Sequence, residues 1–245
     1  MAFDEGFLEP GARDVRYDRE RRTDGEYELT HRYKDETIRV VAVTEGEFEG
    51  FDAYDGGTFD VVLVSPSFDR GLKTNPDHRA VETTSRAVRA LALEARTALS
   101  AEGTLLVHHA PAVLPAVGHA LSERGHRFRY WISLERPPAD RGAIRHGHEG
   151  VLLYFMDGQN FHYDRIREPH RRCVVCGDFR SDWGGKKENM HEDGYVVSDV
   201  WTDVSFAGYG ENTRLPVKAV DRLLDLVTAD GFRVLFAPFE GDLAT

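Results

Sequence analysis

Apolar residues recur along this chain in two rhythms, short unbroken runs and longer stretches with a helical stripe. Val61, Val62, Leu63 and Val64 form an unbroken run inside FDVVLVSPSFDRG, which reads as a strand covered on both faces, as in a parallel sheet. Ile38 to Val43 makes an earlier strand, Thr104 to His108, Phe128 to Leu134 and Gly150 to Phe155 make later ones, and Phe232 to Phe236 makes the last. Between them the period lengthens. Ala80 to Leu99 puts Val81, Val88, Leu91, Ala95 and Leu99 on one stripe, with Gly103 beyond its end. Pro111 to Arg124 turns Val113, Val117, Ala120 and Leu121 inward and is closed by Gly125. Pro216 opens a third helix, with Val217, Val220, Leu224 and Val227 on one face, and Gly231 stops it. Strands alternating with helices predict an α/β fold with a three-layer, Rossmann-like, mainly parallel sheet.

In such a sheet the residues after Val64 lie at the carboxyl edge, where ligands bind. The tetrapeptide there is Ser65-Pro66-Ser67-Phe68. A proline-stiffened loop carrying a hydroxyl and an aromatic ring is a candidate active site; a strand-ending Ser-Pro turn is the structural alternative.

The pattern divides the chain into a charged N-terminal extension of little periodicity (1–37), a strand-and-helix half (38–155), an inserted loop-rich lobe (156–211), and a helix and strand returning to the core (212–245). No apolar run approaches the roughly 20 residues that cross a bilayer, and MAFDEGFLEP lacks the basic start and apolar centre of a signal peptide. The expectation is a soluble, cytoplasmic protein with no membrane partner.

Charge changes the picture locally. The formal net charge is −11, and lysine occurs only at Lys34, Lys73, Lys186, Lys187 and Lys218. An acidic total argues against a simple polyanion binder unless positive charge is concentrated. It is concentrated between Arg165 and Lys187: Arg165, Arg167, Arg171, Arg172, Arg180, Lys186 and Lys187 face only Glu168, Asp178 and Asp182. The same stretch holds both cysteines, Cys173 and Cys176 in CVVCG. That spacing fits half of a zinc site completed by two of His162, His170 and His191, or a reduced thiol turn or redox pair. His108-His109 follows a strand end and reaches the edge that carries the tetrapeptide; packing or hydrogen bonding is the other role open to it.

Taken in order, strand then SPSF, RHGHEGVLLYF, an irregular lobe with SDVW, then helix, strand and FAPFEG, the chain from about Arg39 onward resembles the amino-methylating site-specific DNA methyltransferases in their permuted arrangement. There the catalytic half precedes the target-recognition region and the cofactor loop comes last. The resemblance implies a Rossmann-like methyltransferase sheet, S-adenosylmethionine as cofactor, DNA as partner and an extruded base as substrate. A Ser-Pro start is typical of members that methylate cytosine N4. By resemblance Ser65 and the Pro66 carbonyl hold the exocyclic amine, Ser67 stands where the family has its second proline, and Phe68 sandwiches the base. Pro238, Phe239 and Gly241 match the cofactor loop, Asp199 and Trp201 line the cleft or anchor a loop, and His148-Glu149 leads a late catalytic-half strand. Arg171, Arg172, Arg180, Lys186 and Lys187 then contact the phosphate backbone. Ala237 and Leu243 depart from the cofactor-loop pattern, and the chain stops at Thr245 before the strand whose acidic end would bind ribose hydroxyls. These departures motivate the alternative of an inactive or split DNA-binding or assembly subunit, with a complementing subunit or C-terminal fragment as partner.

Overall fold

The computed structural model describes residues 17–23, 26–31, 36–43, 50–54, 58–66, 77–136, 147–156, 163–168, 170, 176, 178, 187–204 and 215–239. In chain order the elements are β1 (Tyr17–Thr23), β2 (Glu26–His31), β3 (Thr37–Ala42), β4 (Phe59–Pro66), α1 (His78–Glu94), β5 (Leu99–His109), α2 (Leu114–Glu123), β6 (Arg127–Glu135), β7 (His148–Phe155), β8 (Arg167–Glu168), β9 (Tyr195–Val196), β10 (Val200–Trp201), α3 (Val217–Val227) and β11 (Arg233–Phe239). Every strand and helix predicted from periodicity is present, with ends shifted by a few residues. Among the described residues no helix is long and apolar enough to cross a membrane.

The main sheet runs β1-β2-β3-β11-β4-β5-β7-β6-β10. Its centre, β3, β11, β4 and β5, is parallel. β7 is antiparallel to both β5 and β6. Burial on both faces explains the unbroken apolar run of β4, in which Val61, Val62, Leu63 and Val64 are each 0% exposed. Alternation sorts the side chains. Val62, Val64, Leu105, Val107, Leu152 and Leu235 pack with α1 and α2 on one face, while Val61, Leu63, Leu106, Leu134, Val151, Val234 and Phe236 pack with α3, Ile166, Trp201 and Leu215 on the other. The layers are therefore helices, sheet, and then α3 with part of the lobe.

Two glycines end helices as the sequence pattern predicts. Gly125 and Gly231 take φ of +86° and +79°, and a Cβ at either would meet no atom within 4 Å. Glycine is favoured at both by left-handed backbone rather than by space.

Residues 17–31 differ from the sequence reading. Within the charged N-terminal extension, β1 and β2 form an antiparallel hairpin, and β2 pairs with β3 to extend the sheet. Its charged residues left no apolar period to read. The buried positions it offers include Leu29 and His31, and a charged strand is how an exposed sheet edge resists pairing with other chains.

The outcome that matters most is the position of β11. The last strand in sequence inserts between β3 and β4, with Val234 opposite Val61, Pro238 opposite Ser65 and Phe239 opposite Pro66. The carboxyl ends of two strands separated by more than 150 residues of chain therefore sit side by side.

Candidate active site

The site is built by parity. On the α3 face the last apolar residues of β4, β5 and β6 are Leu63, Leu106 and Leu134, and Val151 lies on β7. Two residues beyond each of the first three, on the same face, come Ser65, His108 and Arg136. Because β7 runs the other way, the next residue on this face lies two before Val151, which is opposite His108; it is Glu149, opposite Leu134. Four neighbouring strands thus change from apolar to polar at one rim.

The four side chains form a continuous buried chain. Ser65 Oγ lies 2.9 Å from His108 Nδ1, and His108 Nε2 lies 2.9 Å from Glu149 Oε2. The other carboxylate oxygen, Oε1, accepts a hydrogen bond from Arg136 Nη1. Exposure is 5% at Ser65, 0% at His108, 1% at Glu149 and 6% at Arg136. Buried charge on this scale is tolerated only when paired and hydrogen-bonded. Arg136 and Glu149 supply one charge of each sign, and the Arg136 backbone N–H is held by the Gly147 carbonyl at 2.9 Å.

Several residues singled out by sequence fall here or close by. Pro66 is buried beside Ser65. Pro238 and Phe239 end β11 in register with the pair. Ser67, Phe68 and Gly241 lie outside the described residues, as do Arg171, Arg172, Arg180, Lys186 and Cys173. Lys187 opens the short 3₁₀ turn Lys187–Asn189, and Cys176 is exposed. Among the described residues no group of three or more His, Cys, Asp or Glu side chains is arranged to hold a metal ion. His170 Nε2 is 2.9 Å from the His191 carbonyl oxygen.

Asp199 is exposed, and its carbonyl accepts from Ser133 N–H at 2.7 Å, joining β10 to β6. Trp201 is 2% exposed. Its Nε1 donates to the Ser198 carbonyl at 2.8 Å, and the Arg222 guanidinium lies 4.9 Å from its ring centroid. Arg222 also donates to both oxygens of Asp203, at 2.9 and 2.7 Å, and to Glu168 at 2.8 Å. These bonds hold Asp203 well below the usual carboxylate range: the hydrogen bond from Arg222 is the largest cause, and burial opposes it. Through this cluster β8, β10 and the residues after it are tied to α3.

Sequence reasoning found Ser65 and noted His108 and Glu149 without joining them. It missed Arg136. The signal available was the shared parity: a polar residue two positions past the last apolar residue of the α3 face in each of β4, β5 and β6.

A Rossmann-like three-layer α/β sheet, with a buried hydroxyl–imidazole–carboxylate–guanidinium chain at its carboxyl rim, is the class that fold and site define. Over 154 residues the chain is 29% identical to the type II methyltransferase M.BamHI of Bacillus amyloliquefaciens, a match covering 58% of this chain and 35% of that protein. The chain is thus similar to a type II methyltransferase over part of its length, and the resemblance read from its motif order is borne out. It spans about a third of the length of that relative. No protein-family model matches the chain. Similar solved structures include TTHA0409 from Thermus thermophilus complexed with S-adenosyl-L-methionine (15% identity, 79% of this chain and 86% of that one, TM-score 0.46). M1.HpyAVI complexed with SAM is a further one (9% identity, 76% and 83%, TM-score 0.40).

Proposed function

We propose that this chain is an S-adenosylmethionine-dependent DNA methyltransferase acting on an exocyclic amine, cytosine N4 before adenine N6. The supporting observation is the register of β11 on β4, with Pro238 beside Ser65 and Phe239 beside Pro66. A donor held at the carboxyl end of β11 lies next to the hydroxyl that holds the acceptor amine. The cofactor fits this rim on that juxtaposition, and Pro238, Phe239 and Gly241 are the residues that would hold it. When bound, it supplies a sulfonium methyl group.

The chain's own residues do the rest. Ser65 Oγ and the Pro66 carbonyl accept hydrogens of an amine that is a poor nucleophile while conjugated to its ring, and so orient its lone pair. Phe68 stacks on the extruded base. Arg171, Arg172, Arg180, Lys186 and Lys187 contact phosphates.

A second reading, a non-catalytic DNA-binding or assembly subunit, is favoured by one observation. Ala237 stands where the cofactor-loop pattern has an acid, and it is 1% exposed, packed on the α1 and α2 side. One experiment separates the two: incubate the full chain with duplex DNA and S-adenosylmethionine carrying a labelled methyl group, then identify the labelled nucleoside. Label in 4-methylcytosine supports the first reading, and label in 6-methyladenine changes the base. Salt-sensitive DNA binding without label supports the second. Neither binding nor label refutes both.

A further inference from the structure

We propose that His108, Glu149 and Arg136 form a buried positioning relay that fixes the proton of the Ser65 hydroxyl inward and takes up the proton the substrate amine sheds. This rests on the methyltransferase reading of the same site and assigns roles to three residues that the motif resemblance leaves unassigned.

The argument begins with charge. Glu149 is 1% exposed and hydrogen-bonded to the Arg136 guanidinium, and a guanidinium beside a carboxylate favours its ionised form. An ionised carboxylate only accepts hydrogen bonds. His108 Nε2, 2.9 Å from Glu149 Oε2, must therefore carry a proton. The imidazole is 0% exposed, and burial out of water disfavours a second, charging proton. The resting imidazole is neutral, and Nδ1 presents a bare lone pair. Ser65 Oγ, 2.9 Å from Nδ1, must then donate its only proton there.

The consequence falls on Ser65. A free serine hydroxyl rotates and offers either a proton or a lone pair. With its proton committed to His108, this hydroxyl offers lone pairs toward the rim, which is what an amine bearing two hydrogens needs. The polarity of the site is thus set by Arg136, three side chains away from the hydroxyl.

The same chain balances the transfer step. The amine nitrogen forms a bond to the methyl carbon as the carbon–sulfur bond breaks, and that electron pair stays on sulfur, giving a neutral thioether. The nitrogen's surplus proton passes to Ser65 Oγ as the Ser65 proton passes to His108 Nδ1. The imidazolium so formed lies against the Glu149 carboxylate and releases its proton to water when product leaves. No further oxidant, reductant or co-reactant is required.

The first test needs no turnover. In the full chain labelled with ¹⁵N-histidine, the His108 ring signals are assigned by their loss in His108→Gln. We expect Nε2 protonated and Nδ1 bare in the unaltered chain. In Glu149→Gln, whose amide can donate to Nε2, we expect a shift to the Nδ1-protonated form. An Nδ1-protonated or doubly protonated ring in the unaltered chain overturns the proposal.

The second test is kinetic. With duplex DNA and S-adenosylmethionine, Glu149→Gln should lower kcat about 100-fold, the scale of a misplaced general base, with KM for DNA and cofactor affinity within about twofold. Combined with Ser65→Ala it should add nothing to the single loss. A fall of less than about tenfold, or an additive double variant, overturns the relay. If the unaltered chain transfers no methyl group, the methyltransferase reading fails, while the tautomer still reports on the relay by itself.

Discussion

Replacing Arg222 by methionine tests how the lobe is tied to the core. The Arg222 side chain is 1% exposed and makes three charge-assisted hydrogen bonds, two to Asp203 and one to Glu168. Methionine keeps an apolar stem near Trp201 and removes only the charge. Breaking a buried ion pair by deleting one partner costs about 3–5 kcal/mol. Here the cost is discounted, because the Asp203 side chain is 35% exposed and Lys218 remains 3.1 Å away, while Glu168 is 15% exposed. We expect a loss of roughly 2–3 kcal/mol, a fall in Tm of about 5–10 °C for a chain of this size.

The pH dependence carries a sign that packing alone would not. Asp203 is depressed in the folded chain, chiefly by the Arg222 hydrogen bond. Its contribution is therefore present above the unfolded carboxylate pKa of about 3.9 and is lost as pH falls below that toward the folded value. In Arg222→Met the depression is relieved, so the stability gap between the two proteins should be full at pH 7 and narrow below about pH 4. Urea unfolding followed by circular dichroism at both pH values measures it. A gap under about 0.5 kcal/mol at neutral pH, or one that does not change on acidification, refutes the account of Arg222 as an electrostatic tie.

Three other outcomes are expected. His126 has its pKa lowered first by burial and then by Arg96, so the folded chain resists a proton that the unfolded chain accepts below about pH 6.5; stability should fall from pH 7 toward the folded pKa, and His126→Leu should flatten that loss in urea titrations. A Cβ at Gly150 would lie 2.6 Å from Leu114 Cδ1 and 3.1 Å from Trp131 Nε1, so Gly150→Ala should cost about 1–3 kcal/mol by overpacking, and less than that in a Leu114→Ala background, as read by thermal unfolding in a double-mutant cycle. Ser65→Ala should lower methyl transfer at least about 100-fold with calorimetric cofactor affinity unchanged, whereas Phe239→Ala should weaken cofactor binding.

What the sequence made legible was what periodicity controls. The α1 stripe, the glycines that end two helices and the both-faces burial of β4 follow from local residue order. Strand order does not. That β11 lies between β3 and β4 depends on pairing across most of the chain, which no local pattern encodes. The hairpin of β1 and β2 was illegible for the opposite reason: the edge strand YDRERRT and its neighbour EYELTH have charge where a period-2 apolar signal would be.

The polar rim shows why a site can be harder to read than the fold that carries it. His108 follows Val107, and Arg136 precedes Pro137-Pro138, so each looks like a strand ending in solvent. Only the register makes them neighbours, and only burial makes them expensive. Ionic groups buried in this way do not stabilise a fold relative to apolar side chains of similar volume, and the same sheet face one step away is filled by Leu63, Leu106, Leu134 and Val151 without penalty. Stability alone would have continued that apolar layer to the rim. An imidazole held between a paired carboxylate and a serine hydroxyl is better accounted for by chemistry that needs an oriented hydroxyl than by packing, and this asymmetry between cost and use supports placing the reaction at Ser65.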